Sequence, residues 1–544
     1  MNTMSDASTA GMTCAELLIH LLRDTYGVEL LFGIPGVHTV ELYRGLAGSG
    51  VRHVTPRHEQ GAGFMADGYA RAAGKPGVCL IITGPGMTNI ATAMGQALAD
   101  SIPMLVISSV NRRDTLGRGQ GRLHELASQQ QLVAGVSRFS HTLLDPAGLP
   151  EALARAFAVF QGARPGPVHI EIPVDVFAAA VKAPAAGQPA RLYRPGPDPD
   201  GVALAAEWLR HAERPLVLLG GGSIDAPAAA RALVERLDAP AVITINAKGI
   251  LGRDHPLDLG ANAALPAVRR LAAGADVILA VGTELGETDY DVVFDDGFTL
   301  TGRLIRIDLD AQQLVRNQSL ALGLVSDAKQ GLERLLAYFP QALAKAGAER
   351  TAQTLAELAL ADDPALAPFV PLYEVLRDAL PEAILVGDST APVYAGNHLV
   401  TQPSPRRYFN ASTGYGTLGY GLPAALGASL AREDLPVVAL VGDGGVMFTL
   451  SELATAVEEK LPVVILLWHN AGYEEIRRFM DAGGVERLGV DIKAPDFLAV
   501  GRGFGCMAVS VGSPAGLARA LADRPPDGPL LIVVDAPSWE QSVV

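Results

Sequence analysis

The 544-residue chain is short of cysteine, of aromatic residues and of positive charge, and each shortage excludes something. Cys14, Cys79 and Cys506 are few, odd in number and far apart. That argues against a disulfide framework or a zinc site, and it fits a reducing cytoplasm. Lys and Arg number 43 against 58 Asp and Glu, a formal net charge of −15. Such a surface is a poor partner for nucleic acid or an anionic membrane, though not for a cationic small substrate. No apolar run reaches membrane-spanning length. The opening MNTMSDASTAGMTC has no basic region followed by an apolar one, so no secretory signal is expected. What the chain has in quantity is apolar residue, 49% hydrophobic against 19% charged, enough for the cores of several domains.

The most informative stretch runs from Val437 to Phe479. Val437–Val441 is an apolar, β-branched run of buried-strand length, ended by Gly442-Asp443-Gly444-Gly445. Glycines there let backbone come close to a ligand. A helix is expected next, with Thr449 and Glu452 at capping-box spacing. A second buried strand, Val463 to Trp468, ends on His469-Asn470-Ala471-Gly472. Strand, glycine turn, helix, strand offers a helix N-terminus to a phosphate. Asp443 and Asn470 end neighbouring strands 27 positions apart, at one sheet edge if the strands are parallel. A carboxylate, an amide oxygen and a loop carbonyl are the hard ligands that magnesium on a diphosphate needs.

Near the N-terminus, Leu30-Leu31-Phe32 reads as a strand ended by Gly33-Ile34-Pro35-Gly36, with His38 just beyond. Glu59 opens a helix whose Gly61, Ala62, Gly63 and Ala66 make a face almost without side chains. A carboxyl group buried there favours its neutral form and can share a proton with a ring nitrogen. An exposed acid at a helix start is the plainer alternative. Val78–Thr83 is a further strand, followed by Gly84-Pro85-Gly86-Met87-Thr88-Asn89. Asn111–Gly121 is Arg- and Gly-rich and reads as a loop leading into Leu123-His124-Glu125. His124 is either a proton-transfer group or a surface histidine.

These runs together resemble the thiamine-diphosphate enzymes of the acetolactate synthase and 2-oxo acid decarboxylase superfamily, over nearly the whole chain. His58-Glu59 before Ala66-Asp67-Gly68-Tyr69-Ala70-Arg71 matches the family's pyrimidine-contacting glutamate. Gly442-Asp443-Gly444 followed by Asn470 matches its metal–diphosphate signature, with His469 where the family has a first Asn. Gly416-Thr417-Leu418-Gly419-Tyr420-Gly421-Leu422-Pro423 matches its cofactor-folding segment, with Leu418 at the usual Met position. The resemblance implies thiamine diphosphate and Mg2+. It implies Glu59, Gly416, Leu418, Gly442, Asp443, Gly444, Gly445, Asn470 and Gly472 around the cofactor, with Asp443, Asn470 and the Gly472 carbonyl on the metal. His38 and His124 are the candidates for proton handling.

The expected fold class is α/β, three doubly wound α/β domains with mainly parallel sheets. A pyrimidine-binding domain is expected over 12–182, a linker over 183–200, a middle domain over 201–345 and a diphosphate-binding domain over 366–544. The middle domain carries Gly220-Gly221-Gly222-Ser223 after a strand but lacks Gly-x-Gly-x-x-Gly spacing. FAD, which acetolactate synthases hold there, is therefore not expected. Leu123-His124 replaces a Phe-Gln pair of that branch, which disfavours acetolactate synthesis.

The implied reaction is non-oxidative decarboxylation of a small-molecule 2-oxo acid to an aldehyde. Carboligation of the acetolactate synthase type is the alternative. Glu474 and Glu475 either form a solvated helix face or hold a cationic substrate tail. A homodimer, or a dimer of dimers, is implied.

Overall fold

The computed structural model describes residues 11–181, 191–290 and 298–543. The N-terminal ten residues and the 183–190 part of the expected linker lie outside them. The rest of that linker runs without regular structure until the helix Pro199–His211 begins. The chain divides into two compact units, one of residues 1–70 and 74–193, the other of residues 71–73 and 194–544.

The first unit is built on a six-stranded parallel sheet. Its order is Arg52–Val54, Leu30–Gly33, Gly77–Ile81, Met104–Val110, Pro167–Pro173 and Phe139–Thr142. The central strands are buried along their whole length, as a sheet covered by helices on both faces requires. Leu31, Leu80, Ile107 and Ile170 pack with Leu17, Leu18, Leu153 and Phe157 in one core cluster. Met12–Thr13 pairs antiparallel with Ala180–Val181, tying the beginning of this unit to its end.

The second unit holds two parallel sheets. The five-stranded one runs Ala241–Ile243, Pro215–Leu219, Val277–Val281, Arg303–Asp308 and Leu322–Val325. The six-stranded one runs Tyr408–Asn410, Ile384–Gly387, Val437–Gly442, Val463–His469, Leu530–Asp535 and Met507–Val511. All three large sheets are thus parallel and doubly wound, as the apolar runs and glycine turns implied.

Each sheet has a switch point, where successive connections leave in opposite directions and a crevice opens beyond the strand ends. In the first unit it lies between Leu30–Gly33 and Gly77–Ile81. In the six-stranded sheet of the second unit it lies between Ile384–Gly387 and Val437–Gly442. In the five-stranded sheet it lies between Pro215–Leu219 and Val277–Val281, and backbone meets backbone there. A Cβ on Gly220 would stand 2.2 Å from the Gly282 carbonyl oxygen, and one on Gly222 2.9 Å from the Gly282 Cα. The triple glycine is what lets those two strand ends touch.

One local expectation fails. Thr449 does not cap a helix through Glu452. The strand Val437–Gly442 runs into a single turn, Asp443–Val446, and the longer helix is Glu452–Glu458 with no side-chain cap. The Thr449 hydroxyl instead donates to the Gly419 carbonyl at 2.7 Å. A tertiary acceptor has taken the group that the local motif would have used. Among the described residues no helix is long and apolar enough to cross a membrane. All three cysteines are free and buried, and burial raises their thiol pKa values, to about 11 for Cys14 and Cys506.

Candidate active site

In the first unit, three separate segments meet the turn that follows Gly77–Ile81. A Cβ on Gly36 would lie 2.3 Å from Ile82 Cδ1, so the Gly33–Gly36 turn sits directly against it. Glu59 reaches it from the first position of the helix Glu59–Ala73, where His58 Nδ1 accepts from Gln60 N. His124 reaches it from the loop: a Cβ on Gly84 would be 2.8 Å from both Cβ and O of His124. Thr83 Oγ1 also lies 3.5 Å from the His124 carbonyl oxygen.

Glu59 is half-buried rather than enclosed, and its Oε2 accepts from Asn89 Nδ2 at 2.9 Å. Asn89 stands on the helix Pro85–Ala99, which the same turn launches. A Cβ on Gly86 would come within 3.3 Å of Glu59 Oε1, so this glycine keeps the carboxyl's second oxygen clear. The bare face of the Glu59 helix is used for helix packing: a Cβ on Gly63 would meet Ala93 Cβ at 2.4 Å.

His38 and His124 lie with ring centroids 5.2 Å apart and planes tilted by 35°. The Nδ1 of each is buried and has no hydrogen-bond partner among the described residues. Burial, with the nearby His124 as the second cause, pushes the His38 pKa below the ordinary imidazole value. His124 adopts φ +59°, a left-handed backbone that a bulky side chain takes only when its surroundings impose it.

Behind them lies a buried polar group that carried no signal in the sequence. Gln129, 3% exposed, accepts from Thr83 Oγ1 and Gly84 N through one oxygen. Its Nε2 is within hydrogen-bond distance of Ser108 Oγ, Ser109 O and Glu171 Oε2. Burial raises the Glu171 pKa. Gln129 thus fixes the turn on which Glu59, Asn89 and His124 depend.

In the second unit, Asp443 and Asn470 stand at the ends of paired parallel strands, with Gly442 opposite Trp468 in the register. Asp443 is 1% exposed. Three donors converge on one of its oxygens, Oδ2: His469 Nδ1 at 2.8 Å, Asn470 N at 3.1 Å and Ala471 N at 2.6 Å. No described residue donates to Oδ1. Among the described residues, none hydrogen-bonds the Asn470 carboxamide or the Gly472 carbonyl. One carboxylate oxygen, one amide oxygen and one carbonyl are therefore left over at a single strand edge. That donor set fits a hard divalent cation carrying a diphosphate.

The glycines of the turn mostly make room for protein neighbours. A Cβ on Gly442 would meet Thr390 Oγ1 at 2.8 Å, one on Gly444 the Tyr473 ring at 2.5 Å, and one on Gly445 the Asp388 carboxyl at 3.3 Å. Asp388 is a further residue the motifs did not mark. It is fully buried, and burial raises its pKa to about 6. It accepts from Ser389 N, Gly419 N and Gly421 N. The half-buried Leu418 is therefore presented by a backbone pinned on its C-terminal side, while Gly416, at φ +68°, has no atom within 4 Å of where a Cβ would be.

Glu474 and Glu475 begin the helix Glu474–Ala482. Both are paired within it, Glu474 to Arg477 at 2.9 Å and Glu475 to Arg478 at 3.4 Å.

Comparison with known proteins gives the family. Residues 12–132 match the N-terminal TPP binding domain of thiamine pyrophosphate enzymes, 202–335 their central domain and 388–534 their C-terminal TPP binding domain. The chain belongs to the thiamine pyrophosphate enzyme family. It is 47% identical to the probable 2-ketoarginine decarboxylase AruI of Pseudomonas aeruginosa, over 91% of this chain and 89% of that one. It is 33% identical to the acetolactate synthase isozyme 1 large subunit of Escherichia coli, over 84% and 82% of the two chains. A solved structure described as a thiamin diphosphate-dependent enzyme from Mycobacterium smegmatis superposes with a TM-score of 0.81 at 25% identity, covering 96% and 99% of the two chains.

Proposed function

We propose that this protein is a magnesium- and thiamine-diphosphate-dependent decarboxylase of a 2-oxo acid, releasing an aldehyde and carbon dioxide. The observation that carries the reading is the His38–His124 pair, two rings with unpartnered buried nitrogens on the same turn as the Asn89-bound Glu59. The 47% identity to a probable 2-ketoarginine decarboxylase supports the same choice of reaction. Asp443 Oδ1, the Asn470 amide and the Gly472 carbonyl are proposed to hold the cation, and the Gly442–Gly445 backbone the diphosphate. Leu418 and Gly416 are proposed to bear on the rings. When bound, the cofactor supplies a positively charged ring that accepts the electrons released as carbon dioxide leaves.

The remaining work falls to side chains. Glu59 exchanges a proton with a pyrimidine nitrogen, and Asn89 keeps its carboxyl in one orientation. His38, whose pKa burial lowers, and His124 beside it hold and deliver the proton that the product carbon requires. Carboligation would need a second carbonyl compound to arrive before that proton does.

The proposed substrate is 5-guanidino-2-oxopentanoate, and Glu475 the acid for its cationic end. Its partner Arg478 is exposed and the pair is long, whereas Glu474 is committed to Arg477. A homodimer or a dimer of dimers belongs to the same proposal. Incubation of the holoenzyme with a panel of 2-oxo acids, including the guanidino acid and pyruvate, tests it, with carbon dioxide and products followed by mass. Aldehyde from the guanidino acid is expected. Acetolactate from pyruvate would give the alternative instead, and no product from any acid would end both.

A further inference from the structure

Three acceptors at the ends of Val437–Gly442 and Val463–His469 are left over because others nearby are taken, and one side chain does much of the taking. Arg477 Nη2 donates to the Ala471 carbonyl at 2.8 Å and to the Asn470 carbonyl at 3.3 Å. Of the three consecutive loop carbonyls, only that of Gly472 remains. The loop is not one the chain would adopt unaided. Ala471 sits at φ +57° and Gly472 at φ +154°. Ala471 is held at both ends, its N–H on Asp443 Oδ2 and its carbonyl on Arg477. A Cβ at position 472 would lie 2.1 Å from Arg477 Nη2 and 2.4 Å from the Val490 carbonyl, so glycine there is the condition for the arginine's approach.

Arg477 is itself fixed. Its Nη1 lies 2.9 Å from Glu474 Oε2, and its Nε 3.1 Å from Asp491 Oδ1, the latter a charge contact rather than an aligned hydrogen bond. The side chain is only 15% exposed. A planar fork with five donors can serve two carbonyls and two carboxylates at once, which an ammonium cannot. The two acids also outnumber the guanidinium, so the group leaves no net positive charge beside a site for a cation.

We infer that Arg477 is a positioning residue for the metal loop: it occupies the Asn470 and Ala471 carbonyls, so that the Gly472 carbonyl and the Asn470 side chain are the ones presented to the cation. Glu474 is then part of this brace and not of substrate recognition. The inference rests on the thiamine diphosphate reading proposed above.

The test titrates Mg2+ into metal-free protein at fixed thiamine diphosphate, following the intrinsic tryptophan emission, to which the buried Trp468, directly preceding His469, contributes. Arg477→Ala and Arg477→Lys are compared with wild type, as is Glu474→Gln in case the first two fold poorly. Half-saturating Mg2+ should rise about tenfold or more for Ala and Lys, as when the support of a metal ligand is removed, and less for Glu474→Gln. Thermal unfolding of the metal-free proteins should move little. Unchanged half-saturating Mg2+ in the folded variants overturns the inference while leaving the cofactor reading intact. If wild-type protein takes up neither Mg2+ nor thiamine diphosphate, the reading beneath it fails and the inference falls with it.

Discussion

Asn89 Nδ2 donates to Glu59 Oε2 across 2.9 Å, from a helix 30 positions further along the chain. The contact leaves Glu59 Oε1 as the oxygen that can exchange a proton. Glu59→Gln should therefore fold normally and lose activity by about 10²-fold or more, the range of a positioned acid–base group. Asn89→Ala frees the carboxyl to rotate without removing it, and should cost less. Steady-state kinetics beside circular dichroism decides, and near-wild-type turnover in Glu59→Gln would remove the residue from the mechanism.

The histidine pair gives activity an acid limit with a readable origin. Burial, and then the neighbouring His124, lowers the His38 pKa, so the His38 ring stays neutral to below the usual imidazole range. As pH falls, protonating one ring sets a cation against the other, whose centroid is 5.2 Å away. The acid limb of the rate profile should lie below about pH 6.5, the unperturbed imidazole value. His124→Gln removes one lowering cause and should move that limb upward. A limb that stays put in His124→Gln would mean another group sets it.

The strand-and-turn grammar was legible where local signals sufficed. Val437–Gly442 and Val463–His469 are continuous apolar runs punctuated by glycine, so Asp443 and Asn470 could be placed at strand ends before any coordinates. The capping-box reading of Thr449 failed because its hydroxyl is used by Gly419, a partner 30 positions away. Arg477 was hidden for a different reason. Acids three residues before arginines on a short helix look like a solvated face, and Asp491 comes from a segment with no periodicity. Gln129 and Asp388 were equally silent, since a buried amide or carboxylate declares itself only through the donors around it.

His169 links the first unit's stability to pH. It is fully buried between the Ser108 and Ser140 hydroxyls, at 2.8 and 2.7 Å, and burial lowers its pKa to about 3. Between that value and about 6.5 the unfolded chain binds a proton that the folded chain refuses. The folded state therefore keeps this contribution above about pH 6.5 and loses it as pH falls, by about 1.4 kcal/mol per unit. His169→Gln should lower stability at pH 7, where two hydrogen bonds are disturbed, but flatten the fall from pH 6.5 to pH 4.5. Urea midpoints at the two pH values measure this, and parallel slopes for wild type and variant would refute it.

Two glycines of the cofactor segment separate backbone strain from crowding. Gly416 and Gly419 both have positive φ, +68° and +81°. Alanine at Gly416 meets nothing within 4 Å and should cost only the left-handed backbone, about 1 kcal/mol. Alanine at Gly419 carries the same strain and adds a collision, with its Cβ 2.6 Å from Phe448 Cβ and 3.2 Å from Thr449 Cγ2. The backbone there is held from both sides, its N–H by Asp388 and its carbonyl by Thr449, so it cannot shift without leaving buried polar groups unpaired. Overpacking of this kind adds about 1–3 kcal/mol. Gly419→Ala should thus lower the denaturation midpoint clearly more than Gly416→Ala, and should weaken thiamine diphosphate retention by moving Leu418. Equal losses in the two variants would mean that strain alone sets the segment, and that the Asp388–Thr449 grip does not hold it.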